Sequence, residues 1–430
     1  MHETSKEKEA PVQIASKVLP DGRIVELVSD GEKTSLAVWK EGSYSIEQSV
    51  DTPDGQLVPI AKGNNLLRHR AVLLPSLPSE YGTEAELRND IRNYISTYVD
   101  LSEKFLDLAA AYVLLTWVYD AFPELPYLRF LGDFGTGKSR ALWVVGNICN
   151  KPFFASAAST ISPVFYTLDL FRGTLILDEA DFRYSDIQAD ITKILNNGSV
   201  AGFPVLRQTQ NMQKAFDPRA FTVFGPKVLA MRKNVDDIAL ESRFLTEEMG
   251  ARPLRDDIPL NLPREHAAHA LELRNKLLMY RFRNLESSAI DPSTLDRKRS
   301  GRFNQSMAPL LSVVHDEDVR SNIRAFAEHN ERKMKSLRAL SLDAELLDTL
   351  CQLIDTTSGQ THLSIAEITS SLKEKLFGDT EKPITNRVVG HMLRGVFDLY
   401  TYKSHGVYIL PHSEFEKVKA LALRHGIIEG

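Results

Sequence analysis

The chain has 430 residues, 43% of them hydrophobic and 25% charged, and a net charge of −5. That is enough for two to four domains of ordinary globular composition, and it excludes a uniformly basic coat for nucleic acid. Two cysteines, Cys149 and Cys351, exclude a disulfide framework and a cysteine metal site.

The charge is uneven. Residues 1–120 carry 12 Lys/Arg against 19 Asp/Glu, and residues 273–340 carry 14 against 8. A polyanion is drawn to the second region and not to the first. The opening "MHETSKEKEA" has no apolar core for a secretory signal. The stretch "FLDLAAAYVLLTWVYDAF" is interrupted by Asp107 and Asp120 and reads as a helix buried in protein, not a membrane span. The expectation is a soluble cytoplasmic protein with no membrane partner.

Residues 1–80 are expected to form a small antiparallel β domain with a mobile N-terminus. "RIVELV", "TSLAVW" and "QLVPIA" alternate apolar and polar residues between Asp-Gly turn pairs. From Glu84 the period becomes helical, with helices expected over 84–98 and 101–121, ended by Pro123 and Pro126. Strands and helices then alternate: "YLRFLG", "KSRALWVVGNIC", "PFFASAA", "ISPVFYTLDLF", "TLILDEA", "SDIQADITKILNN" and "FTVFGPKVLAMR". Such alternation implies a parallel sheet with crossover helices, here an α/β core over 81–250. An all-helical lid and basic region follows over 251–340. A winged helix-turn-helix domain is expected over 341–430, from the order helix, short strand, helix, helix, two strands. In its third helix Ile384, Val388, Met392 and Val396 make an apolar stripe. Arg387 and Arg394 are left for a DNA groove, and Lys403 lies on the wing.

"GDFGTGKS" fits the phosphate-loop pattern at Gly132, Gly137, Lys138 and Ser139, between an expected strand and an expected helix. Its residues, Gly132, Asp133, Phe134, Gly135, Thr136, Gly137, Lys138 and Ser139, with Arg140 after them, are the candidate ATP-binding set. Glycines let the loop curl with its N–H groups inward, and Lys138 meets the β and γ phosphates. Ser139 offers a hydroxyl to Mg²⁺. "TLILDE" delivers Asp178, the second candidate Mg²⁺ ligand, and Glu179, which would orient and deprotonate water. Asp178 to Asp181 also spell the DEAD-box signature. Only 40 residues separate Lys138 from Asp178, the loop has a different form, and no Ser-Ala-Thr motif occurs. Asp181 is read as incidental.

With these motifs, "ALESRFL" and "ILNNGSVAGFPVLRQTQNMQKAF" bring the chain close to a family. It resembles AAA+ ATPases, in the helicase branch shared by superfamily 3 helicases and minichromosome-maintenance proteins, including those of mobile elements and phages. The resemblance implies an arginine finger at Arg243, reaching ATP on a neighbouring subunit of a homo-oligomeric ring. It implies a pre-sensor hairpin with Arg207 and Lys214 as DNA contacts, and a sensor for which Arg232 and Asn234 are the candidates. Arg274 could supply a second sensor. The implied activity is that of an ATP-driven DNA helicase or replication-type translocase. A protein-remodelling ATPase and an ATP-switched replication initiator are the alternatives. His266 and His269 form an H-x-x-H pair with no third metal ligand nearby.

Overall fold

The computed structural model describes residues 10–156, 161–178, 186–210, 216–235, 237–251, 253–339, 342–356, 361–376, 384–425 and 427–428. Glu179, Asp181 and Lys214 lie outside the described residues. The chain divides into two units, Met1–Ala327 and Glu328–Gly430.

The first unit begins with seven strands: β1 (Val12–Ile14), β2 (Ser16–Val18), β3 (Ile24–Ser29), β4 (Thr34–Lys40), β5 (Ser43–Glu47), β6 (Val50–Thr52) and β7 (Gly55–Pro59). β2-β3-β4-β5 form an antiparallel meander, while β7 lies between β1 and β6. A short helix α1 (Asn65–Arg68) follows, then α2 (Glu84–Tyr98) and α3 (Glu103–Trp117). Thr83 and Glu86 close a reciprocal capping box at the start of α2. Its buried Leu87, Ile91, Tyr94, Ile95 and Tyr98 recur at helical spacing. Every residue of α3 from Phe105 to Trp117 is buried. The acids that interrupt this apolar run are paired within the protein: Asp107 with Arg92 and Asn322, and Asp120 with Arg281.

Five parallel strands form the central sheet: β8 (Tyr127–Leu131), β9 (Phe153–Ser156), β10 (Leu175–Asp178), β13 (Lys227–Met231) and β14 (Phe244–Glu248). Their spatial order is β14-β8-β13-β10-β9. Between them run α4 (Lys138–Asn147), α5 (Ile161–Phe171), α6 (Asp186–Asn197), an antiparallel hairpin of β11 (Val205–Gln210) and β12 (Phe216–Phe221), and α7 (Ile238–Glu241). One expectation is corrected here. "FTVFGPKVLAMR" is not one strand: Phe221 closes the hairpin, and β13 starts only at Lys227. The Ser-Arg-Phe segment runs into a further strand, β14. The helices expected over 251–340 appear as α8 (Glu265–Asn284), α9 (Gly301–Ser312) and α10 (Glu317–Ala339), and the division between the units falls within α10.

The N-terminal strands share the core of this unit, where a separate domain over 1–80 was expected. Ile24, Val28 and Ala37 join the cluster built around α2, α3 and α8, while Val25, Leu27, Leu36 and Val38 join a second around α5 and β10. Both faces of β3 and β4 are therefore covered. Glu26, the polar member of the β3 alternation, is 2% exposed. It accepts from Lys151 Nζ at 2.7 Å and from Arg281 Nε at 2.6 Å, and Arg281 also binds Asp120. Burial alone raises the Glu26 pKa, but Arg281 and Lys151 hold it below its ordinary value. His266 bonds the Tyr94 hydroxyl at 2.7 Å, and burial pushes its pKa down to about 4, so it stays neutral.

The second unit comprises α11 (Leu342–Thr356), β15 (His362–Ser364), α12 (Ile365–Lys375), α13 (Asn386–His391), β16 (Tyr402–Ser404), β17 (Val407–Pro411) and α14 (Phe415–His425). β17 lies antiparallel between β15 and β16. The chain continues from α13 into a π turn at Met392–Val396, where Phe397 N–H donates to the Met392 carbonyl. The expected apolar stripe therefore holds at Ile384 and Met392, both buried, and fails at its other two positions. Val388 and Val396 are 38% and 53% exposed, whereas Val389, Leu393 and Phe397 fill the core.

Glu26→Ala is expected to destabilise the chain by roughly 3–5 kcal/mol, because it leaves Lys151 and Arg281 buried without their carboxylate. Urea unfolding of the variant measures this; an unchanged midpoint would show that these cations find other partners.

Candidate nucleotide site

β8 ends at Leu131, the loop 132–137 turns over its end, and α4 starts at Lys138. Gly132 has φ +159°, and a Cβ there would stand 2.6 Å from the Met249 carbonyl oxygen, so only glycine fits. Gly137 caps α4 in the left-handed region, φ +88°. The first turn of α4 holds no acid but carries Lys138 and Arg140. Cations at a helix N-terminus oppose its dipole, an arrangement that favours an anion seated there.

Parallel pairing brings the other half of the site to the same edge. Asp178 ends β10, and Ser139 Oγ donates to its Oδ1 at 3.2 Å. Between β8 and β10 lies β13, whose end presents Arg232. Lys138, Ser139, Asp178 and Arg232 together line a cavity of about 360 Å³. Lys138 Nζ donates to the Asp133 carbonyl, and Thr136 Oγ1 donates to the same oxygen at 2.8 Å. On the other side of the loop is a second cavity of about 450 Å³, which shares Phe134, Gly135, Thr136, Gly137 and Arg140. Its far walls include Val99, Asp100, Met249, Leu254 and Ile258. The first cavity gathers the cations Lys138, Arg140 and Arg232; the second adds apolar side chains bordered by the carboxylates of Asp100, Glu247 and Glu248. Phe134 is 88% exposed between the two. Arg140 spans to the carbonyls of Pro259 and Leu260, so it ties the loop helix to the segment before α8. Nothing in the sequence pattern pointed to Val99, Asp100, Met249, Leu254 or Ile258, since they carry no motif and reach the loop only through folding.

Of the sensor candidates, Arg232 reaches the site. Asn234 Oδ1 instead accepts from Arg129 at 3.3 Å, beside the buried Arg129–Glu241 ion pair. Arg274 is corrected: it holds the carbonyls of Leu74 and Asn147, at the end of α4 away from the loop.

Arg243 precedes β14 and so lies at the opposite sheet edge, a strand length of roughly 16 Å from the loop of its own chain. There it is half-buried, donating to Ser199 Oγ at 2.9 Å, the Ala239 carbonyl at 2.7 Å and Asn196 Oδ1 at 3.2 Å. Burial, with Arg302 nearby, lowers its pKa.

In the hairpin, Arg207 turns inward, with Nη2 2.5 Å from Asp190 Oδ2 and its guanidinium 4.1 Å from the Phe165 ring centre. Its cross-strand partner Arg219 likewise packs on Tyr166 and pairs with Asp169. The side that faces away presents Leu206, 70% exposed. In the second unit Arg387 and Lys403 are exposed, while Arg394 donates to Thr401 Oγ1 at 2.9 Å and lies over Tyr408. His266 and His269 pack around Tyr94 and Tyr98, and no cluster of three metal-ligating side chains occurs among the described residues. No helix among them is long and apolar enough to cross a membrane. Cys149 is buried, and its thiol is pushed up to about 12.

The parallel five-stranded sheet, with the glycine-rich loop and Asp178 at one edge, fits a phosphate-loop nucleotide-binding core. No protein-family model matches the sequence, and no curated protein matches it significantly. Among solved structures the chain is similar to "SCCmec type IV Cch - active helicase", with 12% identity and a TM-score of 0.43 over 95% of this chain and 80% of that one. It is similar to the C-terminal region of NrS-1, with 12% identity and a TM-score of 0.37 over 90% of this chain and 96% of that one. A third is Cdc6p from Pyrobaculum aerophilum, with 12% identity and a TM-score of 0.24 over 76% and 94%. All three scores lie below 0.5, and the site stands on this chain's own geometry.

Lys138→Ala is expected to weaken nucleotide binding at least tenfold in a titration with a fluorescent ATP analogue. Asp178→Asn is expected to keep that binding and lower turnover by about 10²–10³-fold. Unchanged turnover in Asp178→Asn would remove the strand-end acid from the chemistry.

Proposed function

We propose that the chain is an AAA+ ATPase of the superfamily 3 and minichromosome-maintenance-like helicase branch, working as an oligomeric motor on DNA in the cytoplasm. The observation that carries the reading is the bond from Ser139 to Asp178 at the mouth of a phosphate loop, with Arg232 from the intervening strand lining the same cavity. That intervening strand is where the sequence resemblance implies a sensor. Loop N–H groups and Lys138 bind the ATP phosphates, and the slot beside Phe134 takes the base. Ser139 and Asp178 would hold Mg²⁺, which neutralises charge on the β and γ phosphates. Glu179, next in sequence, orients the attacking water and takes its proton. Arg243 cannot serve the site of its own chain and acts on a neighbour's. It must leave the Asn196 and Ala239 partners to do so, a rearrangement that subunit contact would drive.

The segments over 81–250 and 251–340 act as motor core and lid, and 341–430 as a winged helix, with Arg387, Arg394 and Lys403 toward DNA. Arg207 is held inward by Asp190, so within the described part of the hairpin Leu206, on the outward side, is better placed to meet a strand, and Lys214 is a contact only by the sequence resemblance.

ATP turnover is expected to rise several-fold with single-stranded DNA. Arg243→Ala is expected to lose on the order of 10³-fold, and mixing it with Glu179→Gln chains should restore part of the rate through composite sites. Turnover indifferent to DNA but stimulated by a protein partner would replace the DNA reading. No restoration on mixing would end the shared-site assignment.

A further inference from the structure

A larger cavity, about 810 Å³, opens beside the C-terminal half of α4, between that helix, the β3–β4 turn, the segment around α1 and the start of α8. Three of its lining residues, Lys62, Arg68 and Arg70, are exposed cations with no ion pair to a described residue. Arg68 donates to the Gly63 carbonyl of its own segment. The one carboxylate in the lining, Asp30, is turned to the N–H groups of Glu32 and Lys33. The groove is therefore positive although the N-terminal third of the chain has an acidic excess.

Trp143 also lines it. Its neighbours Leu142 and Val144 are 3% and 0% exposed, yet its indole is 42% exposed and supported by Phe154 at 4.5 Å. A large aromatic left open beside unpaired cations matches the chemistry of an unpaired base next to its phosphates: the ring stacks and the cations track the backbone. Lys62 precedes α1, Arg68 ends it and Arg70 follows it, so three separate cations are available to the phosphates of a strand.

We propose that this groove holds a segment of single-stranded nucleic acid, its phosphates on Lys62, Arg68 and Arg70 and a base stacked on Trp143. Trp143 stands on the helix whose first turn carries Lys138 and Ser139, so the strand and the nucleotide would be bound by parts of one short helix. The proposal deepens the DNA-acting reading and rests on it.

The test uses tryptophan emission and the anisotropy of labelled oligothymidylate with the full chain. Trp117 is 1% exposed and Trp39 is stacked on Phe282, so Trp143 is the accessible reporter. Oligothymidylate is expected to quench emission in the wild type and not in Trp143→Phe. Lys62→Glu/Arg70→Glu is expected to weaken binding at least tenfold and to reduce the slope of log affinity against log salt by about 1.4. Its ATP turnover without DNA should match the wild type. Thermal unfolding checks its fold, with Lys62→Gln/Arg70→Gln as the milder pair. Wild-type binding with unchanged emission, and no effect of either pair, would overturn the groove and leave the DNA reading intact. Neither binding nor stimulation of turnover by oligothymidylate would overturn both. Equal quenching by polyglutamate or thymidine monophosphate would show a general anion pocket and overturn the strand.

Discussion

In a parallel sheet every strand ends at the same edge, and here that edge gathers the phosphate loop after β8, Asp178 at the end of β10 and Arg232 after β13. None of these groups is near the others in sequence, and no local interaction would assemble them. The same geometry sends Arg243, which precedes β14, to the far edge. One pairing pattern thus separates Lys138, Ser139 and Asp178 from Arg243, the arrangement that the proposed shared site requires.

A second constraint anchors the N-terminal strands to that sheet. Glu26 joins β3 to Lys151, ahead of β9, and to Arg281 on α8, with Asp120 completing the network. An ion cluster this deeply buried adds little net stability over an apolar replacement, but loss of one member leaves the others uncompensated. Its physical effect is to fix how the meander and α8 meet the core. The walls of the basic groove beside Trp143 come from these same parts, so its shape depends on that alignment.

The phosphate loop, the acid-bearing strand and the helix over 84–98 were legible because each is a local pattern: a glycine spacing, an apolar run or a 3.6-residue period. What local pattern hides is partner identity. Glu26 reads as the outward member of an alternating strand, and its inward role depends on residues 125 and 255 positions away. Arg207 reads as a free cation on a loop, yet Asp190 and Phe165 claim it. In the third helix of the second unit Ile384 and Met392 are buried as expected, but Val389 and Phe397 take the places of Val388 and Val396, since Val388 and Val389 lie four and three residues before Met392 and the π turn lets Met392 and Leu393 both face inward.

The central claim is that the cleft formed by Lys138, Ser139 and Asp178 drives movement on DNA. Displacement of a labelled strand from a partly single-stranded duplex tests it most directly. The account predicts displacement that requires ATP and Mg²⁺ and disappears in Asp178→Asn. ATP turnover at the same site with no displacement on either polarity of overhang would contradict it.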